Sequence, residues 1–259
     1  MGSPEVVALM LADGRLPTGG HTQSAGLEPA VRAGLGAGGD RLTDVAGYAR
    51  DRLRTITRVE AAVAVVARHI TVSAATAPRR GSRPDKWPAT GDPRLSPADD
   101  ATGTASRAAM SLGMVEAAWA ARTPSQVMRG AARRQGRAYL RLAARVWPDV
   151  LRYLRNDTEV ARPVVVGVIA GVTGLSAEQV ARSVAHDDVQ TVVSASLKLL
   201  PVDPADAASW LAGLHDDIER LVTDVASLTE IDKLPASGAP LLDVFAQNHA
   251  DERMRLFHA

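Results

Sequence analysis

Val164-Val165-Val166-Gly167-Val168-Ile169 is the one ambiguous run in a chain that otherwise reads as helix, and the fold class turns on it. A short β-branched run suits a buried strand as well as a buried helical segment, so its composition does not separate the two. Its flanks do. Pro163 stands where the first turn of a helix accepts proline, and Gly174 follows where a helix end favours glycine. No second run offers itself as a pairing strand. The segment therefore reads as a short buried helix, and the chain as all-α.

Helical signals strengthen on both sides of that run. Ser176, with Gln179 three residues on, forms a capping-box signature ahead of Val180, Val184, Val193 and Leu197. Asp203-Pro204 opens the clearest case, a face made of Leu211, Leu214, Ile218, Leu221, Val225 and Leu228 at spacings of three and four. Upstream, Thr123-Pro124 starts another helix. Asp40 caps a run with Leu42, Val45, Ala49, Leu53 and Ile56, which Val59, Val63, Val66 and Ile70 continue. Ser3-Pro4 sets a cap and a first-turn proline ahead of Val6, Val7, Leu9, Met10 and Leu11.

One segment breaks the pattern. From about residue 71 to 104 the chain carries five prolines, several glycines and mixed charge, with no sustained apolar period. A structureless loop of that length is uncommon inside a compact domain. As an interdomain linker it would leave a first part with two long helices, thin for an independent core. The expectation is a single-domain helical bundle over residues 1–259, interrupted by a proline-rich, mobile and disordered insertion at 71–104.

Lys and Arg number 30 against 29 Asp and Glu, a net charge of +1, so no global field draws the chain to nucleic acid or a membrane. Zero cysteines exclude disulfides, thiolate zinc sites and a thiol nucleophile. Aromatics make up 3%, so the core must be aliphatic. No basic-then-apolar leader is visible, and no apolar run reaches the roughly 18 residues of a membrane span. The expected setting is the cytoplasm.

Catalytic and metal patterns fail on inspection. Gly14-x-x-x-x-Gly19 begins like a phosphate-binding loop, but Gly20 and His21 follow where Lys and Ser or Thr must reach phosphate and magnesium. Gly34-x-Gly36-x-x-Gly39 matches the dinucleotide pattern by letter, without the strand that must precede it. The histidines at 21, 69, 186, 215, 249 and 258 include no His-x-His and no His-Glu-x-x-His. His186 before Asp187 and Asp188, and His215 before Asp216 and Asp217, read as solvated helix faces. No catalytic residue, resident metal or cofactor is expected.

Arg129, Arg133, Arg137, Arg141 and Arg145 recur every four residues, a ridge drifting by roughly 40° per step around a helix. With Arg134 it suits a phosphate backbone, an acidic protein partner, or plain solvent. Nucleic acid loses ground because Tyr139 alone accompanies the ridge and is no stacking platform. An all-α nucleic-acid-binding regulator remains the alternative from another class.

Near the N-terminus stands Leu16-Pro17-Thr18-Gly19-Gly20-His21-Thr22-Gln23-Ser24-Ala25-Gly26-Leu27-Glu28. A turn of this make-up presents backbone amides and polar side chains on a rigid support. The pattern resembles the signature of the urease accessory protein UreF family, Pro-x-Gly-Gly-(aromatic or His)-x-x-Ser-x-Gly-(Leu or Ile)-Glu. Three further blocks resemble that family in its own order. They are Arg134-Gln135-Gly136-Arg137 with Leu140, the stretch from Gly167-Val168-Ile169-Ala170 through Leu175-Ser176 to Lys198-Leu199-Leu200-Pro201, and Pro240-Leu241-Leu242-Asp243 with His249 and Arg255-Leu256-Phe257. Ala250 replaces the family's acidic residue after the histidine, His258-Ala259 replaces its Arg-Ser ending, and the insertion has no counterpart.

The resemblance implies an all-helical homodimer that is not an enzyme. Such a protein sits between UreH (also called UreD) and the nickel-carrying GTPase UreG, in an assembly that delivers nickel to apo-urease. Nickel is then handled by the complex, with no membrane or nucleic acid involved. Within that biology the alternative is a regulator of the GTPase. On this reading Gly19, Gly20, His21, Ser24 and Glu28 form a partner-facing surface, with the Glu28 charge directed at a basic partner residue. The resemblance adds Arg137 and Lys198 as contacts, although Lys198 at a helix end also suits the helix dipole. The segment 234–259 follows a Pro235 to Pro240 hinge and carries Phe245, His249, Arg255, Leu256 and Phe257. It is expected to be weakly held alone and to fold on UreH.

Overall fold

The computed structural model of the chain describes residues 2–14, 16–18, 20–36, 42–77, 97–250 and 255–257. Its helices are α1 (Pro4–Leu11), α2 (Leu27–Arg32), α3 (Asp44–Arg54), α4 (Ile56–Thr76), α5 (Pro97–Ala121), α6 (Gln126–Val146), α7 (Arg162–Thr173), α8 (Ala177–Leu199), α9 (Pro204–Gly213), α10 (His215–Val225) and α11 (Pro240–Ala250). No strand occurs among the described residues. The run at Val164 to Ile169 is helical, as its flanks predict: Pro163 lies in the first turn of α7 and Gly174 ends it at φ 80°.

The centre is α4, buried from Ala61 through Ala67 and packed chiefly on α7 and α8. It is long and apolar enough to cross a membrane, but in this fold that apolarity faces other helices. A Cβ at Gly167 of α7 would lie 2.3 Å from the Ala64 carbonyl oxygen and 2.7 Å from the Ala67 Cβ. Small residues on both helices therefore let the two backbones approach, and the dense aliphatic core follows from that contact. On the other side of the core, α6 packs on α7, while α3, α9 and α10 cover α8.

Among the described residues, side chains cap three helix starts, those of α6, α8 and α9, whereas Ser3 makes no cap bond to α1. The Ser176 and Gln179 capping box is formed at α8, and Asp203 caps α9 through a 2.7 Å bond from the Ala205 N–H. Other boundaries differ from expectation. The continuous period from Leu42 to Ile70 is two helices broken at Thr55, whose backbone sits at φ −122°, ψ −98°. The 203–228 face likewise divides at Leu214. In both places the apolar stripe continues while the axis turns, because burial tolerates a bend that period-counting does not see. The cap of α6 is Ser125, which accepts from the Met128 N–H, two residues beyond the expected start. Asp40 lies outside the described residues.

The expected insertion at 71–104 is too wide. Residues 71–76 extend α4, and 97–104 begin α5. Residues 78–96 lie outside those described.

Candidate functional site

The signature turn is built around two consecutive left-handed residues, Ala25 (φ 52°) and Gly26 (φ 76°). Glycine enters that region without strain, whereas a side chain at 26 would also place its Cβ 2.9 Å from the Tyr48 Oη. Tyr48 locks the turn by donating its hydroxyl to the Ala25 carbonyl at 2.8 Å. Burial pushes its phenol up to about 12, keeping it a neutral donor. Ser24 is fully buried and accepts from the Glu28 N–H at 3.3 Å, which orients the first turn of α2.

That turn delivers Glu28 into the protein, not out of it. Glu28 is only 2% exposed. Its two carboxylate oxygens accept from consecutive backbone N–H groups, Oε1 from Leu256 and Oε2 from Phe257, each at 2.9 Å. Arg32 donates to Oε1 at 2.7 Å, and His249 Nε2 stands 3.4 Å from Oε2. Burial alone would raise the pKa of Glu28. The two N–H bonds, with His249 and Arg32, outweigh that and hold it below the ordinary value. Phe257 is buried at 3%, and the Lys198 ammonium lies 5.2 Å above its ring centre. Residues 24–28, the end of α8 and the last described residues thus meet in one clasp.

This corrects one expectation. Glu28 is not a surface charge awaiting a partner, because the chain's own C-terminal amides donate to both its oxygens. The described part of the C-terminal segment lies against the core. Leu234 is buried beneath Arg122, α11 packs on α2 and α6, and His249 is 2% exposed. The sequence distance between Glu28 and the N–H groups that donate to it hid this: no local spacing rule pairs residue 28 with residue 257.

The remaining site residues divide. Gly19 lies outside the described residues, as does the His21 side chain. Gly20 opens a 3-10 turn, Gly20–Thr22, with open space where a Cβ would point. Arg137 is exposed, pairs with Glu159 and stands apart from the clasp. Phe245 is half-buried against the core, whereas Leu256 and Arg255 face solvent.

A second polar centre went unread in the sequence. Asp188, expected on a solvated face, is 5% exposed and takes two bonds from Arg52, at 2.6 and 2.9 Å, and one from Thr57 at 2.7 Å. Burial would raise its pKa, but Arg52 and Thr57 hold it below the ordinary range. Beside it, Arg162 bridges Glu60 and Asp187. A cavity of about 100 Å³ separates these groups from α11, with His249 in its wall. His186 Nδ1 is buried without a partner among the described residues, and burial lowers its pKa. No group of three or more His, Asp or Glu that could hold a metal gathers among them. The doubled aspartates in mid-helix, flanked by Val184 and Val189, were the available signal.

The regular structure among the described residues is thus entirely helical, and a polar clasp joins the N-terminal turn to the C-terminal tail. Matched against known families, residues 41–215 fit UreF. The chain is 33% identical over 252 residues to the urease accessory protein UreF of Mycolicibacterium vanbaalenii, covering 96% of each. It is 32% identical to the protein of that name from Mycobacterium bovis and 31% to that from Mycobacterium tuberculosis, each over 96% of this chain and 95% of the relative. The chain belongs to the UreF family of urease accessory proteins.

Proposed function

We propose that this chain serves urease maturation as a non-catalytic homodimeric adaptor in the cytoplasm. It links UreH (UreD) to the GTPase UreG so that nickel passes to apo-urease. The observation that carries the reading is the clasp: the signature residues Ser24, Glu28, Lys198, His249 and Phe257 are all used to shape one tail on the surface. The tail then displays apolar side chains to solvent, Leu241 at 63%, Val244 at 52% and Leu256 at 60%. Exposed apolar groups on a positioned segment mark a protein-binding surface, and we assign them to UreH. Lys198 and Arg137 are assigned to the GTPase side.

The test is co-purification of the full chain with UreH and UreG, together with urease activation in cells. Leu241→Asp with Val244→Asp should lose UreH while melting unchanged. Retention of UreH by that variant would overturn the assignment.

A further inference from the structure

The outer face of α6 forms one wall of an open cleft of about 1010 Å³. Arg129, Arg133, Arg134, Arg137 and Arg255 line it, against one carboxylate among its described residues, Glu159. This local excess sits on a chain with a net charge of only +1. Three of the arginines are engaged. Arg129 holds the Thr123 and Pro124 carbonyls at 2.6 and 2.7 Å. Arg133 donates to Glu116 at 2.9 Å, and Arg137 pairs with Glu159. Arg134 is exposed and has no carboxylate partner among the described residues, and neither has Arg255. Arg129, Arg133 and Arg137 of the ridge read in the sequence thus share one concave basic surface with Arg134 and Arg255, whose guanidinium donors have no carboxylate partner among the described residues.

We propose that this cleft binds an acidic, extended peptide segment of a partner protein. Spacing supports it. Arg129, Arg133 and Arg137, four residues apart, stand about 6 Å apart along the helix axis, near the roughly 6.6 Å repeat of alternate side chains in an extended peptide. Each guanidinium keeps donors beyond the one nitrogen its own partners take. Guanidinium forks match carboxylates in paired hydrogen bonds. Gln23, Gln126, Gln135 and Gln247 also line the cleft. Each amide offers a donor and an acceptor, which suits a peptide backbone, whereas a phosphate can only accept. No aromatic side chain among the described residues lines the cleft to stack a base.

The experiment uses the full chain and a fluorescent octaglutamate peptide, followed by anisotropy at about 0.15 M salt. Arg134→Glu should weaken binding about tenfold or more. Arg145→Glu is the control: the same charge change on the same helix, outside the cleft and about 16 Å further along the axis, beyond the roughly 8 Å screening length. It should weaken binding less than about twofold. Circular dichroism checks that both variants keep their helices. Equal weakening by the two variants, or no saturable binding, overturns the proposal. So does displacement of the peptide by equimolar pyrophosphate, or tighter binding of a random DNA duplex at the same salt.

Discussion

The inside of the bundle and the outer face of α6 treat the same pair of groups, guanidinium and carboxylate, in opposite ways. Inside, the carboxylates are heavily bonded: Asp188 takes three donors, and Glu28 takes two backbone N–H groups plus Arg32. In the cleft along α6, Arg129, Arg133, Arg134 and Arg137 of that helix and Arg255 of the tail meet one carboxylate among the described lining residues. Burial explains the contrast. An unpaired charge away from water is too costly to persist, while an exposed one is solvated at almost no cost. Charges that look equivalent in the sequence therefore divide into those the fold completes and those left for another molecule.

The sharpest way to break that comparison is Asp188→Ala. It strands Arg52, which is 6% exposed, without its partner, and loss of one member of a buried pair costs about 3–5 kcal/mol. Chemical denaturation should show a loss of that order. A loss below about 1 kcal/mol would mean that water reaches this site and that the inside behaves like the surface. Glu28→Ala comes next, at about 1.5–3 kcal/mol, the worth of one hydrogen bond to a charged group, because water replaces the bonds to the exposed Leu256 and Arg32. Its effect should be local: amide exchange at Leu256 and Phe257 should accelerate far more than exchange in α4.

Acidity sharpens the same point. The Glu28 pKa is held below its ordinary 4.5, so the ionised form contributes stability above that value and loses it as the pH falls through the lowered one. The melting difference between the native chain and Glu28→Gln should be constant near neutrality and vanish in strong acid. A difference that grows below pH 4.5 would contradict the clasp. Smaller still is Lys198→Ala, about 0.5–1 kcal/mol from the Phe257 ring and the end of α8. Arg134→Ser should change stability by less than about 0.5 kcal/mol, since nothing inside the chain uses it. Both follow from thermal melts.

Much of the fold was legible in residues. The caps at Ser176 and Asp203 were read correctly because a cap needs only a side chain and the N–H groups two or three residues on. The helical state of Val164 to Ile169 was legible from Pro163 and Gly174. The breaks at Thr55 and Leu214 were not, since the apolar stripe crosses both without interruption. The candidate site was half legible. Its residues were found as motifs, but Glu28 was assigned to the surface, because a motif records residue types and not the direction in which a turn aims them. Asp188 was misplaced for a related reason: its partner Arg52 is 136 residues away.

What the sequence alone determined acts within about a turn of helix: the helical class, the caps at Ser176 and Asp203, and the row of arginines on α6. What only the tertiary structure decided is which charges meet. Glu28 reaches the Leu256 and Phe257 amides across 228 and 229 residues of chain. The physical reason is that propensity and capping depend on neighbours in sequence, whereas burial depends on how α2, α6, α8 and α11 pack. Burial determines whether a charge is bonded within the chain or left facing solvent.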